Sequence, residues 1–62
     1  MKVGVGDQVR VGKGSTLATV LAVFESKDSE GGAYEMARLR GARNREFQEE
    51  TSRLTVVKRA GV

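Results

Sequence analysis

Ala37-Arg38-Leu39-Arg40-Gly41-Ala42-Arg43-Asn44-Arg45-Glu46-Phe47 alternates up to its glycine and resumes after its asparagine. Successive side chains of an extended chain point to opposite faces, so Ala37 and Leu39 share one face and Arg38 and Arg40 the other. Gly41 to Asn44 carries the residues of a hairpin connection. The chain then returns over Arg45 to Glu50 as a fourth strand with Phe47 inward. A helix competes for residues 45–54. Arg, Glu, Gln and Leu are good helix formers, and Phe47, Thr51 and Leu54 stand at i, i+4 and i+7. The close spacing of turn signals on both sides favours the strand, and with it an all-β chain.

Upstream, Ala33 to Arg40 forms a third strand. Thr16 to Glu25, rich in Thr, Val and Leu, forms a second. In it Val20 and Val23 are both core-facing yet three apart, which predicts a β-bulge near Leu21-Ala22. Between the two lies a polar loop, Ser26 to Gly32. Val3, Val5, Val9 and Val11 alternate with polar or small residues, and the first strand is expected over Asp7 to Val11. Gly12-Lys13-Gly14-Ser15 is a tight turn. Downstream, Thr51-Ser52-Arg53 suits one 3₁₀ turn, and Leu54 to Lys58 closes the chain as a fifth strand. The expected core is Val9, Val11, Val20, Val23, Ala37, Leu39, Phe47, Leu54 and Val56. Residues 1–62 form a single domain, expected to fray at 1–2 and 60–62.

Size and composition bound the rest. A 62-residue chain buries only about 60% of its unfolded surface, so its stability is marginal. It has no Cys and no His, which excludes disulfides, thiolate metal sites and the commonest general base. No metal site and no cofactor are expected, and the chain is read as non-catalytic. The longest apolar stretch, Leu17 to Phe24, falls far short of the roughly 20 residues a membrane helix needs. Asp7, Arg10 and Lys13 interrupt the N-terminal region before any apolar run, so a signal peptide is not expected. A cytoplasmic address is the expectation. Eleven Lys and Arg against eight Asp and Glu give +3, a modest bias toward polyanions.

Five short strands with one turn before the last resemble the small Src-homology-3-like (SH3-like) barrels. Val3-Gly4-Val5-Gly6-Asp7-Gln8-Val9-Arg10-Val11 resembles their opening strand. Ala18-Thr19-Val20-Leu21-Ala22-Val23 resembles the Gly-x-Val-x-x-Val step of KOW-type and Tudor-type members, with Ala in place of Gly. Ala37 to Gly41 resembles their third strand, and Phe47 to Leu54 the fourth strand, 3₁₀ turn and closing leucine. The resemblance implies a five-stranded antiparallel barrel and leaves function open, because that fold hosts many functions. Proline-peptide grooves and methyl-lysine cages need clustered aromatics, and the three here, Phe24, Tyr34 and Phe47, are scattered. The Val-Gln-Ile-Tyr stretch of the plasmid-borne dihydrofolate reductases of this fold has no match.

Gly12-Lys13-Gly14-Ser15-Thr16 is not a phosphate loop. Gly14 stands where Ser or Thr is required, and a strand follows in place of a helix. Gly4-Val5-Gly6 lacks the third glycine of a dinucleotide motif. Glu46, Glu49 and Glu50, with Arg45 and Arg53 nearby, read as a solvated, salt-bridged edge. The suggestive group is Arg38, Arg40, Arg43 and Arg45. Guanidinium forks suit phosphate oxygens, so non-specific contact with the backbone of DNA or RNA is expected. The competing reading is a solvated face paired with Glu35, Glu46, Glu49 and Glu50. Leu21, Phe24 and Tyr34 form a second candidate surface, either an apolar patch that joins a protein partner or a second copy, or caps on the open barrel ends.

Overall fold

The computed structural model describes residues 3–61. Five strands follow one another: β1 Gln8–Val11, β2 Leu17–Lys27, β3 Ala33–Arg40, β4 Glu46–Glu50 and β5 Leu54–Lys58. They form one antiparallel sheet in the order β4-β3-β2-β1-β5. The chain is all-β, as expected, and residues 45–54 contain no α-helix. The 3₁₀ turn Thr51–Arg53 stands before the last strand as predicted. A second, Ala42–Asn44, lies inside the β3–β4 connection, which the sequence marked only as a hairpin.

The sheet is bent, barrel-like and open. The last strand pairs with the first, but β4 and β5 are not neighbours, so each is an edge. The bend has a local cause in β2. Val20 pairs with Leu39 and Ala22 with Arg38, which leaves Leu21 as the extra residue. An extra residue on one strand increases its twist and turns it. The N-terminal part of β2 therefore lies against β1, while its C-terminal part follows β3.

The core is built from two rows of cross-strand neighbours. One runs Phe47–Leu39–Val20 across β4, β3 and β2. The other runs Val56–Val9–Ala18 across β5, β1 and β2. Ala18 and Val20 share a face of β2 and join them. Val3, Val9, Ala18, Val20, Ala37 and Leu39 are buried, and Val11, Val23, Phe47, Leu54 and Val56 are half-buried around them. Every expected core residue therefore lies in or against the core. Val3 and Ala18 are added to it, and so, unexpectedly, is an acid.

Asp7 is 4% exposed. One carboxylate oxygen accepts the Gly4 amide at 2.8 Å and the other accepts the Ala60 amide at 2.9 Å. Arg59 stands 3.6 Å away. Asp7 is thus not the first residue of β1 but a clasp between the chain entering β1 and the chain leaving β5. Gly6 makes the clasp possible. Its φ is +90°, and a Cβ there would meet the Ala60 Cβ at 2.9 Å. Its amide donates to the Val20 carbonyl at 2.8 Å, and the Val20 amide donates to the Asp7 carbonyl at 2.9 Å. The hydrogen bonds from Ala60 and Gly4 hold the Asp7 carboxyl below its ordinary value. Burial opposes them, and the Arg59 charge adds to them. Ala60, the first of the C-terminal residues expected to fray, donates its amide to this carboxylate. Residues 1, 2 and 62, where fraying was also expected, lie outside the described residues.

Candidate functional site

The four arginines singled out in the sequence do not form one group. Arg38 and Arg40 alternate with the buried Ala37 and Leu39, so both project from the outer face of β3. Arg38 is engaged there, its Nε 3.6 Å from Glu46 Oε1. Glu46 also stands opposite Arg40 in the β3–β4 ladder. On this face the carboxylates of β4 offset the arginines, and the reading of a solvated, paired surface describes Arg38 well. Such exposed pairs are worth under about 1 kcal/mol.

Arg43 and Arg45 lie at the end of the hairpin. Gly41 donates to the Arg45 carbonyl at 2.8 Å, and Arg45 donates to the Ala42 carbonyl at 3.2 Å. Between them the chain reverses through two consecutive left-handed residues, Arg43 (φ 60°) and Asn44 (φ 60°). Asn tolerates that region; an arginine there is uncommon and costs conformational energy. Arg45 then falls two positions before Phe47, on the same side of the returning chain. The result is a hollow of ≈ 570 Å³ lined by Thr16, Gly41, Ala42, Arg43, Arg45 and Phe47. Among the described residues no carboxylate lies within 4.0 Å of Arg40, Arg43 or Arg45.

Gly41 shapes this hollow. A Cβ at Gly41 would approach Phe47 Cε1 to 3.2 Å. The missing side chain lets the ring lie against the backbone and leaves the space beside it open. Thr16 and Phe47 are the residues that sequence reasoning did not assign to the site. Phe47 was read as core alone, although its spacing of two from Arg45 on an extended chain already places both on one side.

A second hollow, of ≈ 540 Å³, is lined by Gly12, Lys13, Ser52, Arg53 and Thr55. It has no aromatic residue, and its arginine is engaged by Glu49 at 3.6 Å. The carboxylates of β4 therefore take up Arg38 and Arg53 but not Arg45. Among the described residues no three Asp or Glu side chains gather in a way that could hold a metal ion. Nor is any helix long and apolar enough to cross a membrane.

The apolar candidates lie on the outer face of the other end of the sheet. Phe24 stands opposite Met36, and Tyr34 opposite Ser26 two pairs further on, on the same face. Phe24 is 37% and Tyr34 36% exposed. Leu21, in the bulge, is half-buried. Comparison with known protein families, curated proteins and solved structures finds no match to this chain.

Proposed function

We propose that this chain is a small non-catalytic binding module that contacts the phosphates of nucleic acid through its β3–β4 hairpin. One observation carries the reading: Arg43 and Arg45 flank a single hollow, and no carboxylate among the described residues lies within 4.0 Å of either. Unengaged guanidiniums on a concave surface present their donors to an anion without first breaking an ion pair. Arg40, on the outer face of β3, adds a third guanidinium with no carboxylate within 4.0 Å among the described residues. Arg38, held by Glu46, contributes least. The SH3-like resemblance is supported by the pairing of the first strand with the last and by the turn before β5.

The test is a salt titration. Three phosphate contacts predict a slope of log K against log salt of about −2 to −3. The affinity belongs in the range of roughly 10⁻⁴ to 10⁻⁶ M at physiological salt. No retention of DNA or RNA at about 20 mM salt, where charges are least screened, would overturn the reading.

The exposed Phe24 and Tyr34, with the half-buried Met36 between them, support a second reading, an interaction or assembly module. Sedimentation at micromolar concentration decides its self-associating form. A dimer abolished by Phe24→Lys supports it, and a monomer at millimolar concentration removes it.

A further inference from the structure

We propose that the hairpin hollow seats one unpaired nucleotide of a single strand, its base against Phe47 and its adjoining phosphates on Arg43 and Arg45. This rests on the phosphate reading above and adds to it the state of the strand.

Three features of the hollow point beyond simple charge attraction. The first is its mixed lining. Phe47, Gly41 and Ala42 supply an apolar wall, Arg43 and Arg45 supply cations, and Thr16 supplies a hydroxyl. An apolar base joined to an anionic phosphate has the same division. Phosphate alone would need no aromatic wall. The ≈ 570 Å³ volume lies within the range of small-ligand pockets, large enough for a base and its sugar. The second is Gly41. With any side chain at this position, a Cβ at 3.2 Å from Phe47 Cε1 would displace the ring or fill the space beside it. The third is Arg43, held at φ 60° where glycine is the ordinary choice. Residues held in such conformations cluster at binding sites. The left-handed turn places Arg43 in the lining of the hollow.

These features select an unpaired nucleotide. In a duplex both faces of a base are covered by its neighbours, so no base can reach an aromatic wall without leaving the stack. In a single strand the face is free, and stacking on an aromatic side chain adds about 5- to 150-fold in affinity per base. Phe47 is the one aromatic ring in the lining of the hollow, so the lower part of that range applies.

The experiment is a titration of the ¹⁵N-labelled protein, at about 20 mM salt, with four probes. They are single-stranded hexathymidylate, a hexamer of abasic sugar-phosphate units, a 12-base-pair duplex and thymidine 5′-monophosphate. Hexathymidylate should bind at least about fivefold tighter than the abasic hexamer, with the largest amide shifts at Thr16, Gly41 and Ala42. Phe47→Leu should remove that difference. Because Phe47 also packs on the core, the comparison of the first two probes on the unaltered protein decides the matter should the variant fail to fold. Equal binding of hexathymidylate and the abasic hexamer overturns the base seat while leaving the phosphate reading intact. Tighter binding of the duplex does the same. A mononucleotide bound as tightly as the hexamer overturns the strand and assigns a free nucleotide. If none of the four shifts any resonance, both readings fall.

Discussion

Ala60 donates its amide to the Asp7 carboxylate at 2.9 Å across 53 positions of sequence. The contact joins the chain just before β1 to the chain just after β5. In a sheet that is not closed by strand pairing, this clasp ties together the ends of the two strands that hold one edge. An ionised carboxylate suits the clasp because its two oxygens accept two amides at once and it carries no donor of its own.

The clasp predicts an acid-sensitive stability. The Asp7 carboxyl is held below its ordinary value of 3.8, first by the Ala60 hydrogen bond, then by that of Gly4, with burial opposing. Its contribution is therefore complete above the unfolded value and is lost as pH falls through the folded one. The thermal midpoint should drop as pH falls below about 3.8. Asp7→Asn should lower the midpoint at pH 7 and flatten that acid limb, as followed by circular dichroism. An unchanged acid limb in the variant would show that other carboxylates govern it.

Leu39 is fully buried between Val20 and Phe47. Leu39→Ala should cost roughly 2–5 kcal/mol in urea denaturation. That is a large part of the stability of so small a domain. Leu17, on the neighbouring strand but 47% exposed, should lose no more than about 0.5 kcal/mol on the same substitution.

Arg43 separates binding from folding. At φ 60° an L-residue costs about 1–2 kcal/mol relative to glycine, offset in part by the greater freedom glycine has when unfolded. Arg43→Gly should thus leave stability unchanged or raise it by up to about 1 kcal/mol. The same change should weaken nucleic-acid binding. Loss of both together would mean that the side chain supports the hairpin instead of a ligand.

The two pairs of arginines should behave differently. Replacing Arg43 and Arg45 by Gln together should flatten the salt slope by about 1.4 to 1.8 units, with the thermal midpoint nearly unchanged. Arg38→Gln should change the slope little, since its guanidinium already faces Glu46 at 3.6 Å. An equal effect of the two substitutions in a filter-binding assay would place the contact on the outer face of β3.

The strands were legible because one face of each is buried and the other is not. Ala37 and Leu39 alternate with Arg38 and Arg40, and β3 spans Ala33–Arg40 as that pattern requires. The bulge at Leu21 was legible as well, because Val20 and Val23 cannot both face inward on a regular strand. Thr51–Arg53 left room for a single turn and forms one. The burial of Asp7 was not legible, because its partner Ala60 is brought to it only by the pairing of β5 with β1.

The candidate site divides in the same way. Alternation within a strand is a local property, so the sequence by itself determined the strand order along the chain, the inward face of each strand and the shared face of Arg38 and Arg40. Which arginines meet in space depends on how one strand returns beside another, and that geometry is set in the turn. Two left-handed residues, Arg43 and Asn44, reverse the chain so that Arg45 joins Phe47 and Thr16 around one hollow, while Arg38 and Arg40 stay on the opposite face with Glu46. Local sterics along one strand do not encode that arrangement. Only the tertiary structure decided it, because pairing across strands brings together residues that no spacing along the chain relates.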